Sequence, residues 1–101
     1  MPEPMEQASA PDPLLADRDL SRLRWRCRRG MLENDIFLER FLHRYDTSLT
    51  VRQARSLTDL LDLSDNDLLD LHLARKEIGS VNAELDRPEV HEVLSMLRQS
   101  H

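Results

Sequence analysis

Between Leu20 and Leu97 the apolar residues return every third or fourth position, and no stretch alternates apolar and polar residues with period two for long enough to make a strand. This confines the chain to helices packed on helices. Two glycines, Gly30 and Gly79, and Pro88 punctuate that pattern, so the connections are expected to be brief. The fold class is therefore all-α, a compact five-helix bundle of short helices.

The first helix is expected from about Arg18 to Arg29, with Leu20, Leu23 and Cys27 on the core side. Arg22, Trp25, Arg26 and Arg29 share the far side, which leaves a tryptophan exposed. Gly30 stands just past the end, where a left-handed glycine closes a helix without steric cost. A second helix, Leu32 to Tyr45, gathers Phe37, Leu38, Phe41, Leu42 and Tyr45 into one arc. Leu32 and Ile36 fall nearly opposite, either against another helix or on a docking surface. Thr50 caps a third helix carrying Val51, Ala54, Leu57, Leu60 and Leu61. Ser64 to Asp67 stops it and starts a fourth, expected from Asn66 to Lys76 and closed by Ile78-Gly79-Ser80. Pro88 opens the fifth at the position where its missing N–H is harmless, followed by Val90, Val93, Leu94 and Leu97.

The 101 residues support one domain. Residues 1–17 hold four of the five prolines, no aromatic, and four acids without a base. Such a segment cannot bury enough apolar surface to offset the entropy of ordering it, so 1–17 reads as a disordered acidic tail and 18–101 as the domain. A single cysteine excludes an internal disulfide, and Cys27 on the core side reads as a buried structural thiol. The acidic N-terminus has neither an apolar signal core nor the arginine-rich character of a transit peptide, and no run is apolar enough to span a membrane. A cytoplasmic protein is the expectation.

The net charge of −5 conceals a polarised distribution. Residues 21–46 carry seven arginines against four acids, while residues 59–70 carry five aspartates and no base. That asymmetry orients a chain toward a partner more than it shapes a fold. For catalysis the sequence offers little. His43, His72, His91 and His101 are scattered without ligand spacing, and two isolated glycines cannot cradle a nucleotide phosphate. No catalytic residue, no metal site and no tightly bound cofactor is expected.

What remains is the run Arg28-Arg29-Gly30-Met31-Leu32-Glu33-Asn34-Asp35, preceded by Trp25 and Cys27. Arginines in a last helical turn and acids in the next first turn complement helix dipoles, about 0.3–1 kcal/mol each, which suffices for a turn. It leaves the exposed Trp25 beside Arg22 unexplained, and tryptophan with arginine is the pairing that dominates protein interfaces. The order Trp-x-Cys-Arg-Arg-Gly-x-x-Glu-x-Asp resembles the family of small helical FAD assembly factors called SdhE, or succinate dehydrogenase assembly factor 2. The similarity extends over about residues 20–98, with Leu60 to Leu68 and Glu89 to Arg98 in support. An aromatic usual in that family's fourth helix is replaced here by Leu69 and Leu71.

The resemblance implies a protein that docks on the flavoprotein subunit of succinate dehydrogenase or fumarate reductase and promotes covalent attachment of the FAD held there. It also implies the partner-binding residues: Arg29, Gly30 and Glu33 at the turn, extended by Arg22, Trp25, Arg28 and Asp35. An exposed tryptophan fits a monomer or a weak dimer that hides the docking face. Two other classes compete. A small regulatory adaptor or antitoxin-like module would use the same face on another target. A nucleic-acid binder is suggested by five arginines between Arg22 and Arg29, but the acidic total and charge spread all round the helix argue against it.

Overall fold

The computed structural model describes residues 13–28 and 30–99. Arg29 and the tail residues 1–12 lie outside the described residues. The described chain is all-α, with helices α1 (Asp17–Arg26), α2 (Leu32–Tyr45), α3 (Val51–Leu61), α4 (Asp65–His72), the single turn α5 (Ile78–Val81), a 3-10 turn at Ala83–Leu85, and α6 (Pro88–Gln99).

Helix α3 packs most extensively against α6, α2 lies across both α4 and α6, and α1 rests on α3. The core between them is mostly aliphatic, with Phe37 and Phe41 as its phenylalanines: Phe41, Leu57, Leu60, Leu68, Val90, Val93 and Leu97 have no exposed surface, and Phe41 meets the Tyr45 ring at 5.1 Å. Leu71 is equally buried and Leu69 half-buried, so leucines fill the space near positions 69–71. His72 is a core residue with its ring 4.4 Å from that of Phe37.

Local chemistry accounts for several helix ends. Thr50 and Gln53 form a reciprocal capping box: Thr50 Oγ1 accepts from the Gln53 N–H at 3.1 Å, and the Thr50 N–H donates to Gln53 Oε1 at 3.0 Å. Ser64 Oγ accepts from the Asp67 N–H at 3.2 Å and starts α4.

Three boundaries differ from the sequence expectation. Helix α4 ends at His72, not Lys76, because Ala74 turns left-handed with φ 58°. There the Ala74 N–H reaches the Leu71 carbonyl at 3.1 Å and the Arg75 N–H reaches that of Asp70 at 2.8 Å, the paired bonds of a Schellman stop. Arg98 of α6 adds two donors to the same Leu71 carbonyl, at 3.0 and 2.7 Å. Ile78-Gly79-Ser80, expected to close α4, instead opens α5. Helix α1 stops at Arg26 with Cys27 as its right-handed cap, and neither glycine takes a positive φ, so Gly30 is no left-handed closure. The third difference concerns the expected tail. Leu15 N–H donates to the Leu49 carbonyl and Val51 N–H to that of Pro13, both at 2.9 Å, so the chain is pinned to the bundle from Pro13 onward. Backbone pairing with the α2–α3 connection and the half-buried Leu15 supply the contacts that composition alone did not reveal.

Candidate functional site

The segment between α1 and α2 collects the residues that the sequence singles out. Helix α1 is held to the bundle by Leu23 and Cys27, 4 and 5% exposed, and by ion pairs at 3.0 Å from Arg24 to Asp46 and from Arg26 to Asp62. Two of its arginines are thus matched by acids of the same chain. Arg22 points to solvent and meets Asp19 at 4.0 Å.

Trp25 is 75% exposed, and the Arg28 guanidinium lies 5.5 Å from its ring centroid, a cation–π pair. Gly30 is exposed, and Met31 enters α2 in an extended conformation with no side-chain cap on the helix N-terminus. Glu33 projects to solvent from the first turn of α2, where negative charge complements the helix dipole, and Asp35 is half-buried behind it. Arg24, Cys27 and Arg28 on one side and Asp35, Glu39 and Leu42 on the other line an open groove of about 650 Å³. Its basic wall belongs to α1 and the segment after it, and its acidic wall to α2.

Among the described residues beyond its chain neighbours, a Cβ built on Gly30 would meet one atom, Asp65 Oδ2 at 3.9 Å, which is ordinary contact. Together with the absence of a positive φ, this means that the chain's own fold does not require glycine at this position. Leu32 is 69% and Ile36 39% exposed, which decides the alternative left open by their helical position: they face outward. Trp25 and Leu32 therefore stand exposed on either side of Gly30 in the chain, one on each helix.

Two further residues acquire a place that sequence reasoning did not give them. Asn34 is wholly buried, and its Nδ2 donates to the Asp65 carbonyl at 2.9 Å and to Asp65 Oδ1 at 3.2 Å. The helical pattern carried a signal for Asn34, which lies in the arc with Leu38 and Phe41 and not with Leu32 and Ile36. No comparable signal marked Asp65.

A family model described as the flavinator of succinate dehydrogenase matches residues 21–101. Among individual proteins, the FAD assembly factor SdhE of Ralstonia nicotianae is 56% identical over 78 residues, 77% of this chain and 79% of that one. The protein of the same name from Coxiella burnetii is 49% identical over 49 residues, 48% of this chain and 60% of its own length. That of Legionella pneumophila strain Lens is 42% identical over 52 residues, covering 52% and 66%. No solved structure matches. No helix among the described residues is long and apolar enough to cross a membrane.

Proposed function

The chain belongs to the Sdh5 family of succinate dehydrogenase flavinators, and on that premise we propose that it is an FAD assembly factor that docks on a flavoprotein subunit through the α1–α2 turn. The subunit is that of succinate dehydrogenase or fumarate reductase, and the outcome is covalent attachment of FAD to a histidine of that subunit. The protein supplies no bond to the reaction and holds no FAD of its own. It favours the flavoprotein conformation in which the histidine and the isoalloxazine are aligned, an effect that lowers a barrier by about 7–11 kcal/mol in favourable cases.

The observation that carries this reading is that Gly30 is exposed and a Cβ there would make only an ordinary contact. A glycine that the chain needs neither for its backbone angles nor for its packing has a use when another backbone must come close. The Trp25–Arg28 cation–π pair supplies the aromatic and arginine anchors typical of interface hot spots, and the exposed Leu32 adds apolar surface on the next helix. Arg29 and Glu33 make charge-assisted contacts across the interface, extended by Arg22 and Asp35. The protein acts in the cytoplasm, on that flavoprotein subunit.

In-gel fluorescence of the covalent flavin on denatured succinate dehydrogenase tests the proposal, in cells lacking this gene and complemented with wild type or Gly30→Arg. Restoration by wild type alone is the expected result. Full flavinylation without the gene, or with Gly30→Arg, refutes it.

A further inference from the structure

We infer that Asn34 and Asp65 form a part-buried latch that positions the docking turn, a role distinct from direct contact with the partner. The inference rests on the docking reading given above. Asn34 sits in the first turn of α2, one residue from Glu33, and Asp65 opens α4. One Asp65 carboxylate oxygen accepts from the Asn34 amide at 3.2 Å, and the other is the atom nearest the open side of Gly30, at 3.9 Å from where a Cβ would stand. The backbone carbonyl of Asp65 takes a second bond from the same amide nitrogen at 2.9 Å, and Met31 Sδ lies 3.7 Å from it. The first turns of two helices are thereby tied together directly beside the residue on which close approach depends.

Stability alone does not explain an asparagine here. Its Oδ1 is buried without a hydrogen-bond partner. Rotating the amide would aim that oxygen at the carbonyl and carboxylate of Asp65, so the orientation is imposed by the latch and the acceptor is stranded by it. A leucine of similar size would remove the stranded acceptor together with the two donated bonds, and these effects oppose one another. What the asparagine adds is direction: it fixes the register of the α2 start against α4, and so the attitude of Gly30 and Glu33 toward a partner.

The full chain carrying Asn34→Leu tests this with two readouts. The first is the amide NMR spectrum, in which the only two glycines are Gly30 at the turn and Gly79 in α5, the latter serving as internal control. The Gly30 peak moves or broadens while the Gly79 peak stays. The second is the affinity for the purified flavoprotein subunit, which falls by about five-fold or more, with the melting temperature close to wild type. Should Asn34→Leu fail to fold, Asp65→Ala, a truncation at a half-buried position that removes the carboxylate bond and keeps the carbonyl one, must still move the Gly30 peak and weaken binding, to a smaller extent. An unmoved Gly30 peak with affinity within about two-fold of wild type overturns the latch. Failure of the wild type to bind, or binding by Gly30→Arg equal to wild type, overturns the docking reading and this inference with it.

Discussion

Replacing Gly30 by alanine should change stability and docking in opposite directions. Among the described residues beyond its chain neighbours, the new methyl group meets only Asp65 Oδ2, at 3.9 Å, and the native φ is not in the left-handed region that an alanine avoids. The native state therefore accepts the substitution without strain. The unfolded chain loses conformational freedom, which stabilises the fold by about 0.4–1 kcal/mol. For a domain of this size 1 kcal/mol raises Tm by roughly 4–8 °C, so the expected increase is about 2–8 °C. If a partner backbone packs against position 30, the same methyl overpacks that contact at about 1–3 kcal/mol, weakening affinity by about 5- to 150-fold. A circular-dichroism melt and a titration of the purified flavoprotein subunit read the two effects separately. A Tm below wild type would refute the claim that the fold does not need this glycine. A higher Tm with unchanged affinity would remove position 30 from the interface.

Four other substitutions probe the account. Ala74→Gly relieves the left-handed residue at φ 58° and should stabilise by about 1 kcal/mol, read as a higher Tm with docking unchanged. Thr50→Ala removes one arm of the capping box and should cost about 0.5–2 kcal/mol in a urea titration. Arg98→Met keeps much of the stem but loses both donors to the Leu71 carbonyl, a loss of about 1.5–3 kcal/mol by the same titration. Trp25→Ala, at a position 75% exposed, should leave stability within about 0.5 kcal/mol and weaken docking by about 2 kcal/mol or more in the affinity titration.

The proposed site was legible in the sequence to differing degrees. Trp25 was placed outward and Cys27 inward by their angular positions on one short helix, and both stand so. Leu32 and Ile36 could not be assigned, because an apolar pair on the far side of a helix is buried or exposed according to where a neighbouring helix happens to lie. Asn34 was visible as a polar residue on the core arc, but its partner is 31 residues away, beyond the reach of any local pattern.

By itself the sequence determined the all-α class and those boundaries whose chemistry is contained within a few residues. The Thr50–Gln53 box, Ser64 before α4 and Pro88 at the head of α6 each satisfy or avoid orphan backbone donors locally, so their residue types announce them. It also carried the motif that marks the family. Tertiary structure decided the rest. Helix α4 stops at His72 through a left-handed alanine, where a reader of sequence looks for glycine, and the Leu71 carbonyl at that stop is taken up by Arg98 from another helix. Gly30, the obvious candidate for such a stop, adopts no left-handed angle and stands exposed, with only an ordinary contact for an added Cβ. The reason is common to both cases: a glycine permits a conformation without requiring it, and which residue is driven into an unusual one depends on the contacts made by distant parts of the chain.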